Sequence, residues 1–337
     1  MVELLDCTLR DGSNIVGAGF SREITVMLIE SLIASGVKSI EIGHSSGLGG
    51  NNSGAKLAPL SDEEYIEAAA PYFSQAEIGM FCQPKWATKT GIEFAARQGL
   101  GFLRVGINAG DASKAVNLIE EIRGYGLKVR TSLMKAYVLS SEKLAEEALL
   151  LETAGACAVT IMDSAGYMLP EHAAEYVSVV KTAVSIPVGF HGHNNLGLAV
   201  SNGLAAWRAG AASIDCGVMG MARSVGNIPT EAIIAVLQRC GEGMEYDLRT
   251  LLSRIDNDIM PPTQSYYHNP IPPVELILGM SGCHSHYLPM FRDVATKHGV
   301  DLYKLILDVS VHDKKAPSME FIESFAKKRS EKSTSAC

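Results

Sequence analysis

The fold class this chain predicts is α/β, a closed (β/α)8 barrel followed by a small helical region, and three observations predict it. One phrase repeats through residues 1–240: an amphipathic helix, a glycine, then a short β-branched or apolar run. The repeats give eight strands, spaced by about 25 to 40 residues. The side chains best suited to chemistry sit just after those strands, the end at which a barrel builds its active site.

The elements follow in order. Val2 to Cys7 is the first strand, and Ile24 to Ala34 reads as a helix with Ser21 as its cap and Gly36 at its close. Val37 to Ile42 is the second strand. Ser61 and Glu64 stand at capping-box spacing and open the next helix. The later strands are 76–81, 102–105, 128–133, 157–162, 187–190 and 212–216, with Gly99, Gly126, Gly155 and Gly210 ahead of four of them. Strands alternating with helices imply parallel pairing, and eight of them imply a TIM barrel. An open, doubly wound sheet is the alternative, but no GxGxxG follows a strand and opens a helix.

After Gly241 the style changes. Tyr246 to Met260 looks helical and is expected to stop at Pro261-Pro262, with further helices near 274–280, 287–297 and 302–307. Residues 241–326 therefore read as a helical annex covering part of the barrel mouth, and the charged, serine-rich 327–337 as a disordered tail.

The composition excludes some function classes. A formal charge of −8 leaves no Lys/Arg excess for a general nucleic-acid binder. No apolar run is long enough to cross a bilayer, and the N-terminus lacks the pattern of a secretory signal. Seven scattered cysteines without a CxxC suit a reduced, cytoplasmic protein, and Cys7, Cys157 and Cys216 are expected to be small buried hydrophobes.

His191-Gly192-His193 is the sharpest motif. Imidazoles at i and i+2 on an extended segment face one side and can reach one ion. Asp11, beyond the first strand, completes a set of two histidines and one carboxylate with positions open for substrate. The ligand chemistry suits Mn²⁺, Mg²⁺, Co²⁺, Fe²⁺ or Zn²⁺. Two histidines bonded to loop backbone are the alternative. Arg10 would stand beside the ion and steady an enolate, or form a rim salt bridge with Asp163. Lys135 ends the fifth strand, where it is either a Schiff-base nucleophile or a solvated rim lysine.

Thr8-Leu9-Arg10-Asp11-Gly12, Glu41-Ile42-Gly43-His44 through Gly50, Asp163-Ser164-Ala165-Gly166, His191 to Leu196 and Gly226-Asn227 together resemble the DRE-TIM metallolyases. That superfamily holds 3-hydroxy-3-methylglutaryl-CoA lyase, isopropylmalate and homocitrate synthases and 4-hydroxy-2-oxovalerate aldolase. The resemblance spans nearly the whole chain and is strongest to the aldolase branch. It implies a divalent ion, usually Mn²⁺, on Asp11, His191 and His193, with Asn227 as a further ligand. It also implies Arg10 on the pyruvate enolate and Ser164 in contact with substrate. Asn14, Lys135 and Asp163 are further candidates for substrate contact.

Two departures qualify the match. The aldolase branch has a histidine base where this chain has Asn14, which takes no proton at neutral pH. It also has a tyrosine where His284 stands. The base is then His44, His284 or His286, or the substrate differs. We expect a metal-dependent aldolase or lyase acting on pyruvate or a related 2-oxo acid and an aldehyde, with altered specificity. A Claisen-type acyl-CoA synthase and a non-catalytic barrel subunit are the alternatives. A homodimer is expected. The acylating aldehyde dehydrogenase that partners the aldolases is doubtful here, because the matching gate positions are Asn14 and His284.

Overall fold

The structure is a computed structural model that describes residues 2–50, 57–263, 273–281, 283, 287–313 and 317–334. Its strands are β1 (Glu3–Asp6), β2 (Ser39–Ile42), β3 (Glu77–Cys82), β4 (Phe102–Asn108), β5 (Lys128–Met134), β6 (Ala158–Asp163), β7 (Val188–Gly192) and β8 (Ser213–Cys216). They pair in sequence order, all parallel, and β8 closes on β1 through the registers Leu5↔Asp215 and Asp6↔Cys216. The expected (β/α)8 barrel is present.

One α-helix follows each strand: α1 (Arg22–Ala34), α2 (Asp62–Ala69), α3 (Lys89–Gln98), α4 (Val116–Gly124), α5 (Ser141–Ala154), α6 (Pro170–Ala183), α7 (Ala199–Arg208) and α8 (Thr230–Arg239). Their ends use the chemistry read from sequence. The Ser21 hydroxyl accepts from the Ile24 N–H, Ser61 and Glu64 form the capping box, and Gly99 and Gly155 end α3 and α5 in the left-handed conformation. Leu28, Leu32, Ile66, Ile92, Ile119, Leu144, Val177 and Ile233, one or two from each of seven helices, are fully buried.

The barrel interior differs from this aliphatic layer, because salt bridges cross it between strands that are not neighbours. Near the entry of the strands, Arg130 on β5 reaches Glu3 on β1 at 2.8 Å and Glu77 on β3 at 2.6 Å. Above them Arg104 on β4 pairs with Glu41 on β2 and Asp215 on β8. Two glycines make room for aromatic rings packed against arginines, Phe102 against Arg130 and Phe81 against Arg10. A Cβ on Gly79 would stand 2.4 Å from the Phe102 ring, and one on Gly106 would stand 2.0 Å from the Phe81 ring.

Several sequence expectations shift. Cys157 is exposed because it lies one residue before β6, where the chain is still entering the barrel. Tyr246 is not helical. Its hydroxyl donates to the Val2 carbonyl (2.9 Å) and accepts from the Leu4 N–H (3.1 Å), tying down β1. The following helix, α9 (Leu248–Arg254), packs on α1 and α8. It widens into a π-turn (Ile255–Ile259) and ends as α10 (Met260–Thr263), with Pro261-Pro262 inside it. The prolines lie in the final turn of this continuous helix, which is described as far as Thr263.

The chain falls into two compact units, Met1–His268 and Asn269–Cys337. In the second, α11 (Pro273–Ser281), α12 (Leu288–His298), α13 (Leu302–His312) and α14 (Met319–Thr334) surround Phe291, Val294, Leu305, Ile306 and Ile322. The helix α14 carries the expected tail onward to Thr334, since lysine, arginine and glutamate are good helix formers. No described helix is long and apolar enough to cross a membrane.

Candidate active site

Asp11 follows β1 in a tight turn, its backbone N–H bonded to the Cys7 carbonyl at 2.7 Å. His191 lies on β7 and His193 just beyond it, so the strand's alternation turns both imidazoles inward. One carboxylate oxygen, Asp11 Oδ2, is 3.6 Å from His191 Nε2 and 3.7 Å from His193 Nε2. Those separations are close to the ligand–ligand edges expected around an ion with bonds of about 2.0–2.2 Å. All three side chains are buried.

The protonation states fit ligation. Burial alone would raise the Asp11 pKa, but Arg10 and the two imidazoles hold the carboxyl well below the usual range. Burial, then the neighbouring His191, pushes His193 down to about 4, so its ring is neutral. His191 Nδ1 faces Asp215 Oδ2 at 3.0 Å, the carboxylate–imidazole contact that fixes a metal-ligating ring with Nε2 outward. Asn227 donates from Nδ2 to Asp11 Oδ2 at 3.0 Å, and its Oδ1 is buried without a partner among the described residues. An amide flip would turn that oxygen toward the ligand set. The residues present fit a divalent cation.

Cys7, His191 and Asp215 form a second cluster with metal-ligand geometry. Here the Arg104 guanidinium already supplies the cation, bonding Asp215 and lying 3.2 Å from the Cys7 sulfur. Burial, with Asp215 nearby, keeps the Cys7 thiol protonated.

Arg10 is held by Glu41 Oε1 at 2.5 Å from Nε and by Asp11 Oδ1 at 3.3 Å from Nη1, and its guanidinium lies 4.8 Å from the Phe81 ring centroid. Its Nη2 is buried and has no partner among the described residues. The partner suggested from sequence, Asp163, is engaged elsewhere. Its two oxygens accept from the Tyr167 and Met168 N–H groups, both at 2.9 Å, which shapes the β6–α6 loop.

The ligand set opens into a cavity of about 380 Å³, within the range of small-molecule sites. Arg10, Lys135 and Ser164 line it, and the Ser164 hydroxyl accepts from the Lys135 N–H at 2.9 Å. Asn14 stands beside it, between Asp11 (3.1 Å) and Arg223 (3.2 Å). His44 does not line it. One ring nitrogen is 2.9 Å from Asp62 and the other accepts from the Ser46 N–H, which fixes the loop after β2. His284 and His286 lie outside the described residues.

Sequence reasoning missed Glu41 as the anchor of Arg10, Asp215 as the anchor of His191, and Arg104, which joins the two carboxylates. The signal was available. In a barrel strand both faces are buried, so a charge inside Leu103-Arg104-Val105 or Ile214-Asp215-Cys216 needs a buried partner. Lys85, Trp86 and Arg223, on the cavity wall, carried no such signal.

Comparison with known proteins agrees with this architecture. The chain is 33% identical over 312 residues to 4-hydroxy-2-oxovalerate aldolase from Geobacillus genomosp. 3, covering 91% of each sequence. It is 33% identical over 308 residues to the enzyme of that name from Carboxydothermus hydrogenoformans, again 91% of each. Hydroxymethylglutaryl-CoA lyase from Pseudomonas aeruginosa superposes with a TM-score of 0.67 at 17% identity, over 82% of this chain and 97% of that one. The HMG-CoA lyase of Brucella melitensis does so at 0.63 and 17%, over 79% and 98%; at such identity the likeness is one of fold. A family model described as HMGL-like matches residues 1–257, and the chain belongs to that family.

Proposed function

We propose that this protein is a divalent-metal-dependent carbon–carbon lyase of the aldolase type, working through the enolate of pyruvate or a related 2-oxo acid, with a specificity that departs from 4-hydroxy-2-oxovalerate. The observation that carries the reading is the convergence of Asp11, His191 and His193 on one point beside the unpartnered Nη2 of Arg10.

Asp11, His191 and His193 would hold the ion, Mn²⁺ by preference, with Asn227 as a fourth ligand. When bound, the ion supplies Lewis acidity toward the oxygens of the 2-oxo acid. Arg10 adds a fixed positive charge, and Nη2 is the donor free to meet an oxygen that gains charge as the enolate forms. Glu41 holds that guanidinium in register from Nε, so little reorganisation is needed during reaction. Ser164 and Lys135 bound the side of the cavity away from Arg10. Asn14 has no nitrogen that accepts a proton, and His44 is committed to Asp62 and Ser46, so the acid–base role falls to neither.

Proton exchange at the methyl group of pyruvate in deuterated water tests the reading. The Mn²⁺-loaded protein is expected to catalyse exchange, EDTA to stop it, and added Mn²⁺ to restore it. Exchange that persists in EDTA, or borohydride trapping of pyruvate on Lys135, would replace the metal route with a Schiff base.

A further inference from the structure

We propose that the acceptor half of the substrate carries a second anionic group, a carboxylate or a phosphate, bound at the outer wall of the cavity by Lys85, Lys135 and Arg223. This rests on the 2-oxo acid reading above and specifies the aldehyde that goes with it.

The first support is charge. Among the described residues lining the cavity Asp11 is the one carboxylate, and Arg10 with two imidazoles already surrounds it. The carboxylate of the 2-oxo acid belongs with the ion and Arg10 at the floor. Lys85, Lys135 and Arg223 then remain on the wall, reached from the ends of β3, β5 and β8. Neither Lys85 nor Lys135 has a carboxylate within ion-pair distance among the described residues, unlike Lys114, Lys128 and Lys297, which pair with Asp111, Glu77 and Glu323. A neutral aldehyde would leave the Lys85 and Lys135 charges to solvent, whereas an anion would be drawn to this positive wall.

The second support is placement. The Lys85 ammonium rests 3.8 Å from the centroid of the Trp86 ring, which also lines the cavity. Lys135 has a left-handed backbone, φ 57°, with its N–H fixed on Ser164. A non-glycine residue in that region is costly and persists where its surroundings demand it. Arg223 donates to Asn14 Oδ1 at 3.2 Å and approaches Asp11 Oδ1 at 3.9 Å, which draws its charge over the rim.

The test uses the Mn²⁺-loaded protein with pyruvate and two matched pairs of aldehydes. Succinic semialdehyde against butanal reads a carboxylate, and glyceraldehyde 3-phosphate against glyceraldehyde reads a phosphate. In one pair the anionic member is expected to have a kcat/KM at least roughly tenfold higher, an advantage that shrinks as salt is raised. Lys85→Gln, Lys135→Gln and Arg223→Gln are each expected to raise KM for that member more than for its neutral partner. Neutral aldehydes used equally well or better, variants that leave the ratio intact, or pyruvate exchange with neither anionic aldehyde turned over would overturn the proposal. Absence of pyruvate exchange would instead overturn the metal–enolate reading beneath it.

Discussion

Arg104 on β4 donates from Nε to Oε2 of Glu41 on β2 over 2.5 Å, with both side chains fully buried. Glu41 presents its other oxygen to Arg10, and Arg104 turns its remaining arm to Asp215, which holds His191. The guanidinium of Arg10 and the imidazole of His191 are thus positioned by one buried arginine that bonds neither. Arg104→Met is expected to weaken Mn²⁺ binding by roughly 10- to 100-fold and to lower kcat. It should also destabilise the fold by roughly 3–5 kcal/mol, because two carboxylates lose a buried partner. Arg104→Lys should recover little metal affinity, since a single ammonium does not reproduce the fork. Titration calorimetry with Mn²⁺ and urea denaturation check both expectations.

Removing the ligands themselves separates binding from folding. Asp11→Asn and His193→Ala are expected to lose stoichiometric metal, measured by elemental analysis after gel filtration, with exchange of pyruvate protons falling to background. Full metal content together with full exchange in either variant would remove the site from the reaction.

Gly106 reaches the same chemistry through packing. The Phe81 ring fills the space above it and also lies under the Arg10 guanidinium. Gly106→Ala should displace that ring, cost roughly 1–3 kcal/mol through overpacking and lower kcat more than it changes KM for the 2-oxo acid. Steady-state kinetics alongside thermal melts would detect the split.

Glu231, at the start of α8, gives the fold a pH dependence. Burial, with Asp6 nearby adding to it, raises its carboxyl from 4.5 to about 7, while the Met219 N–H it accepts opposes the shift. Between those values the unfolded chain releases the proton and the folded chain keeps it, so stability is full below about pH 4.5 and falls as pH rises through 7. Asp6, raised to about 6 by burial, acts in the same sense. Glu231→Gln keeps an acceptor but has no proton to release. Its stability relative to the wild type should therefore improve by about 3 kcal/mol between pH 4 and pH 8. Equal slopes in urea melts across that range would contradict the assignment.

The barrel and the cluster of Asp11, His191 and His193 were legible because each rests on a short-range signal. Glycine after a helix, alternation along a strand and His191-x-His193 act within a few residues of one another. The carboxylates that orient them were not legible, because Glu41 and Asp215 meet their partners only after β2, β4, β7 and β8 have closed around one space. Asp163 and His44 show the opposite case. Each stands where a reacting group would, yet each is occupied with the backbone or side chains of its own loop. A sequence motif gives the position of such a residue but not the competition for its lone pairs.

Glu41 and Asp215 each serve two partners, so Arg10, Arg104 and His191 belong to one polygon strung across the barrel. Defects made in it will not add. Whichever corner is cut first releases the others, and a second cut finds much of the damage already done. Single substitutions would then appear to assign the whole effect to each corner in turn, and only paired substitutions could apportion it.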